Sequence, residues 1–116
     1  MPDRLLPLPP AWYHLLLALM EGERHGYALM QDVAAESGGR VRLGPGTLYG
    51  ALKRLLEIGL VVESGRRPDP LLDDERRRYY RLTPMGRRAL AAEAARHLRL
   101  VELARAKRVL AKPRTA

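Results

Sequence analysis

The 116-residue sequence contains no cysteine. That absence excludes disulfides, thiolate chemistry and cysteine-ligated zinc. Long apolar runs are missing too. The longest, Leu15 to Met20, is six residues, far short of the roughly 18–20 that a membrane-spanning helix needs. The opening residues, Met1-Pro2-Asp3-Arg4, are weakly cationic and no small-residue cleavage site follows, which argues against a secretory signal and for a cytoplasmic location. Serine is reduced to Ser37 and Ser64, one beside a helix-ending Gly-Gly and the other at a strand end. The three histidines, His14, His25 and His97, fall in different elements and do not form a metal-ligand spacing. Gly44-Pro45-Gly46 with Gly50 lacks the spacing and the βαβ setting of a dinucleotide fingerprint. No nucleophile–base set or paired-carboxylate cluster can be assembled. The sequence predicts neither an enzyme nor a bound cofactor.

What is present is ordinary for one folded domain: 47% apolar and 29% charged residues, enough for a single core. The net charge is +8, and 18 of the 21 cations are arginine. Guanidinium groups fork onto phosphate or carboxylate with two hydrogen bonds, although a GC-rich genome would also enrich arginine and alanine. The placement of the charge is more informative. Residues 1–65 carry 6 cations and 7 anions, whereas residues 66–116 carry 15 cations and 6 anions. The whole excess lies in the second part.

Residues 1–8 read as a tail. Pro9-Pro10 opens a helix over Ala11 to Met20. It is apolar almost all round, so it needs burial on more than one side. After a turn at Glu21 to Arg24, a second helix runs from Gly26 to Ser37 and stops at Gly38-Gly39. The third runs from about Thr47 to Gly59. Leu48, Ala51, Leu52, Leu55 and Leu56 form its core face, and Gly50, Lys53, Arg54 and Glu57 the opposite one. Leu60 to Glu63 and Arg76 to Leu82 read as two strands of a hairpin with a long loop. Alternation places Tyr80 and Leu82 toward the core. Thr83-Pro84 then caps a helix that reads unbroken to about Ala111. One seam of that helix is Leu90, Ala94, Leu98 and Val101; a second includes Met85, Leu100 and Leu103. So small a domain cannot cover both, which predicts pairing with a second chain.

Helix, helix, turn, helix and hairpin is the order of a winged helix-turn-helix. The expected fold class is mainly α with a small β-hairpin: residues 9–82 as the winged domain, 83–111 as a dimerisation helix, and 1–8 and 112–116 as tails. In this arrangement the third helix enters the DNA major groove, which is just wide enough for it, and the second braces it.

Several short motifs occur in order over residues 13 to 90. They are His25-Gly26-Tyr27, Gly44-Pro45-Gly46-Thr47-Leu48-Tyr49, Leu52-Lys53-Arg54-Leu55, Gly59-Leu60-Val61, Tyr79-Tyr80-Arg81-Leu82-Thr83-Pro84 and Gly86. Together they resemble the PadR family of bacterial transcriptional regulators, in its short branch with one C-terminal helix. The resemblance implies a homodimeric repressor of double-stranded DNA whose C-terminal helix pairs near the partner's first helix. Two departures stand out. The wing tip carries Asp73-Asp74-Glu75 where relatives are often Gly/Pro-rich and basic. The C-terminal helix also lacks the tryptophan that lines a drug site in some relatives.

The candidate DNA contacts are His25, Tyr27, Thr47, Tyr49, Gly50, Lys53, Arg54, Arg76, Arg77 and Arg78. Each has a plainer reading. Tyr49 could be a ring packed between helices, and Thr47 a cap at a helix end that is itself an anion site. His25 and Tyr27 could cap or pack, Gly26 serves close packing, and charged faces are often merely solvated. The candidate dimer contacts are Leu15, Leu16, Leu19, Leu90, Ala94, Leu98, Val101 and Leu103. Trp12 is the candidate lining of a pocket for a small-molecule effector. Two other functions stay open: a small-molecule sensor acting through a dimer cavity, and a non-specific nucleic-acid module. The third helix carries only Lys53 and Arg54 against Glu57, so the sequence predicts that Arg76 to Arg78 supply much of the phosphate affinity.

Overall fold

Proline after an extended residue starts three of the four long helices. In the computed structural model, which describes residues 2–66 and 78–111, α1 is Pro10–Ala18. A tighter turn, Leu19–Glu21, extends it. A two-residue strand, β1 (Arg24–His25), leads into α2 (Gly26–Glu36). Pro45 opens α3 (Pro45–Ile58), with the first helical bond from Leu48 N–H to the Gly44 carbonyl, and Gly59 closes it in the left-handed conformation. β2 (Val61–Arg66) and β3 (Arg78–Leu82) form the hairpin, and α4 is Pro84–Ala106. The wing tip, with Asp73, Asp74, Glu75 and the candidate contacts Arg76 and Arg77, lies outside the described residues, as does the segment 112–116.

The sheet has three strands rather than the expected two. All pair antiparallel in the order β1-β3-β2, with Arg24 opposite Tyr80 and His25 opposite Tyr79. The third strand was hidden in the sequence because two residues are too short to show alternation. An Arg24–Asp32 ion pair at 3.2 Å ties it to α2. A bulge between Glu63 and Gly65 adjusts the β2–β3 register.

One core joins all these elements. Leu29 and Val33 from α2, Leu48, Leu52 and Leu55 from α3, and Tyr80 and Leu82 from β3 are all buried. Thr83 links α3 to α4: its hydroxyl donates to the Gly59 carbonyl at 2.6 Å and accepts from Gly86 N–H at 3.0 Å.

Three expectations need correction. Leu15, Leu16, Leu19 and Leu90, assigned to a partner contact, are inside the chain's own core. An all-apolar α1 is satisfied here by neighbours within the protomer, because α2, α3 and α4 pack around it. Residues 2–8 are not a loose tail. Pro2–Leu5 forms a turn against α4, Leu8 is buried, and Leu8 N–H donates to Glu93 at 2.9 Å. Finally, α4 stops at Ala106, short of Ala111. Arg108 takes a left-handed conformation (φ 64°), so Val109 N–H reaches back to the Ala104 carbonyl at 2.8 Å and closes the helix.

The burial of α4 is split along its length. Gly86, Ala89, Leu90 and Glu93 are covered. Beyond them Leu98 is 56% exposed and Leu100 and Leu103 are each 50% exposed. The distal helix projects from the domain and gives the protomer a long axis of 54 Å against 31 and 27 Å.

Candidate nucleic-acid interface

α3 presents an amphipathic cylinder with one face locked in the core. Thr47, Gly50, Lys53 and Arg54 are all exposed on the other. Arg54 pairs with Glu57 at 3.3 Å, an exposed i,i+3 contact of little stabilising value. Lys53 has no carboxylate partner among the described residues. Among the described residues, Lys53 is therefore the cation of this face without a carboxylate partner.

Tyr49 sits at the margin between core and surface. Its ring lies over Gly26, so close that a Cβ there would be 2.5 Å from the Tyr49 hydroxyl oxygen. This contact clamps the start of α2 to α3, so at least the ring of Tyr49 is structural. His25 is the N-cap of α2: its Nδ1 accepts from Ala28 N–H at 3.1 Å, and its ring meets Tyr79 edge-on at 5.3 Å. Tyr27, the second residue of the same helix, is 44% exposed.

Between α3 and β3 runs a groove of about 300 Å³ lined by Tyr49, Leu52, Lys53, Leu56, Arg78 and Tyr80. Three of the expected contacts, Tyr49, Lys53 and Arg78, are thus brought together, although Arg78 lies far from them in sequence. Arg78 Nε is 3.8 Å from Glu63 Oε1 and has no hydrogen-bond partner. Leu52, Leu56 and Tyr80, which floor the groove, read in the sequence only as core. A helix row at i and i+4 beside an inward strand residue was the signal available for them.

Trp12 is the residue expected to line an effector pocket. It packs partly buried against the core. The second cavity, about 350 Å³, lies against the neighbouring residues Tyr13 and His14, closed by Leu8, Pro10, Arg96 and His97. Tyr13 stacks on His97 with ring centres 4.6 Å apart. Beneath them Glu93 is 1% exposed and accepts from Arg96 Nε at 2.5 Å as well as from Leu8. Hydrogen bonding to Arg96 and Leu8 outweighs burial and holds the Glu93 carboxyl below the ordinary carboxylate range.

Among the described residues, no group of three or more His, Asp or Glu side chains is placed to hold a metal ion. No helix among them is long and apolar enough to cross a membrane.

The family model for the transcriptional regulator PadR-like family matches residues 15–92. That span runs from α1 into α4 and includes the whole α2–α3–hairpin unit. The chain belongs to this family. Its members are transcriptional regulators rather than enzymes. This PadR-like chain is 39% identical over 80 residues to a transcriptional regulator of Mycobacterium tuberculosis, covering 69% of this chain and 68% of that protein. It is 44% identical over 86 residues to an uncharacterised 37.1 kDa protein in transposon Tn4556 of Streptomyces fradiae, covering 74% of this chain. It spans only 22% of that relative's length. Among solved structures, Bacillus subtilis PadR in complex with operator DNA superimposes with a TM-score of 0.63 at 24% identity, covering 74% of this chain and 47% of that one. That likeness is one of fold.

Proposed function

We propose that this PadR-like chain acts as a homodimeric repressor that binds a pseudo-palindromic operator in double-stranded DNA. In this reading α3 lies in the major groove and presents Thr47, Gly50, Lys53 and Arg54 to base edges and flanking phosphates. The hairpin, with Arg78 and the adjoining Arg76 and Arg77, lies along the neighbouring backbone, and the start of α2, with Tyr27, meets phosphate. The observation that carries the reading is the exposed face of α3 beside a groove that gathers Tyr49, Lys53 and Arg78. A helix of this diameter fits the major groove, and phosphate affinity needs cations at its flanks.

Pairing through α4 is supported by Ala94, Leu98, Val101 and Leu103 along the half of the helix that the protomer leaves largely uncovered. Exposed apolar surface of this kind marks an association site. Two-fold pairing would set two half-sites one or two helical turns apart. Footprinting on genomic fragments selected by the protein tests this. Two symmetry-related protected half-sites are expected; a single unsymmetric one contradicts the dimeric reading.

A second reading has its own observation. The 350 Å³ cavity between the α1 end and α4 joins the DNA-facing domain to the pairing helix. A small-molecule effector seated there would change the angle between the two. Ligand-induced shifts in melting temperature, lost on filling the cavity by His97→Trp, would support it.

A further inference from the structure

The described helices contain four glycines, Gly26, Gly46, Gly50 and Gly86. Glycine is a poor helix residue, because ordering its backbone loses more entropy than for any other residue. Two of the four have a reason inside the protomer. A Cβ on Gly26 would strike the Tyr49 ring, and one on Gly86 would lie 2.0 Å from the Leu60 carbonyl oxygen. Gly46 sits in the first turn of α3, directly after Pro45, where helix ends fray and the penalty is small.

Gly50 has no such reason. It is well inside α3 and exposed. Among the described residues, a Cβ built on it would meet nothing within 4 Å. Its neighbours on the same face are Thr47, Lys53 and Arg54, at i−3, i+3 and i+4. α3 thus carries a bare patch of backbone at the centre of the surface it offers outward. A helix with its side chains is about 10–12 Å across and the major groove about 12 Å wide. At so tight a fit, removing one side chain lets the helix axis sit closer to the base pairs.

We propose that Gly50 is the seating point of α3, the position at which helix backbone itself meets base edges on the floor of the major groove. The proposal rests on the reading of α3 as the groove helix and assigns Gly50 a role within it. Side chains at Thr47, Lys53 and Arg54 reach the flanking bases and phosphates only because nothing at Gly50 holds the helix off. Gly50 is therefore a specificity-determining residue that acts by the absence of a side chain. Any substitution lifts α3 and weakens the base-reading contacts more than the phosphate ones, which reach farther on long side chains.

The test is Gly50→Ala, with Gly50→Leu as a bulkier step. Each is measured by thermal melting and by titration onto two labelled duplexes, one selected from genomic fragments by the wild-type protein and one of random sequence. Alanine should raise the melting temperature by roughly 4 °C, since it removes the glycine penalty at an open helical site. It should weaken binding to the selected duplex by about tenfold or more while changing binding to the random duplex much less, and leucine should weaken it further. Unchanged affinity with a raised melting temperature overturns the proposal and leaves the DNA reading standing. An unchanged or lowered melting temperature overturns it too, because the glycine would then have an internal role. Equal losses on both duplexes place the contact on phosphate rather than base edges and overturn it likewise. A wild-type protein that does not distinguish the two duplexes overturns the DNA reading itself, and the role of Gly50 with it.

Discussion

Lys53 and Arg54 are adjacent in sequence and unequal in charge delivered. Arg54 shares its charge with Glu57; Lys53 does not. Lys53→Ala should leave stability within about 0.5 kcal/mol, as for other open surface sites. It should also lower the slope of log affinity against log salt by about 1, the signature of one lost phosphate contact. A salt titration of both proteins checks this. Tyr49 behaves differently. Its ring clamps Gly26, so Tyr49→Ala should cost stability as well as binding. Tyr49→Phe keeps the ring over Gly26, so it should lower the melting temperature less than Tyr49→Ala does. Gly86 gives the strictest steric prediction. A Cβ there meets backbone, the Leu60 carbonyl, which cannot swing aside. Gly86→Ala should destabilise by about 1–3 kcal/mol, read by denaturant unfolding.

The capped start of α4 and the faces of α3 were legible because their chemistry is local. Thr83-Pro84 announced α4 and forms its cap, and the i, i+3, i+4 row of α3 named its buried leucines. What was not legible depends on contacts between distant segments. β1 needs β3 to exist, and Leu8 needs Glu93. The same limit applies to the site: the α3 face could be read from periodicity, whereas the groove with Arg78 could not. Two tests belong to these elements. Thr83→Ala removes a cap and the tie to Gly59, and should cost about 1–2 kcal/mol, with serine restoring most of it. Glu93 couples the N-terminal segment to α4. Its carboxyl is held below its ordinary value in the folded state. Its contribution is therefore complete above the ordinary glutamate range and lost as pH falls through the depressed value. Melting temperature should fall with acidification below about pH 4.3, and less steeply in Glu93→Gln. Identical pH slopes in the two proteins contradict this role.

Across the whole molecule, charge and shape divide the labour differently from a uniformly basic DNA binder. The excess of cations lies in residues 66–116, outside the α3 segment of the sequence, and α4 carries several of them beside an exposed apolar row. Converting Leu98 and Leu103 together to glutamate should leave a species near 13.1 kDa by light scattering, against twice that mass for the wild type. On the proposed function, this protein reads sequence rather than merely binding polyanion. Equilibrium titration of a selected genomic duplex and a random duplex, at one fixed salt concentration, tests it directly. A preference of roughly a thousandfold or more for the selected duplex is expected. Equal affinity for the two would contradict it.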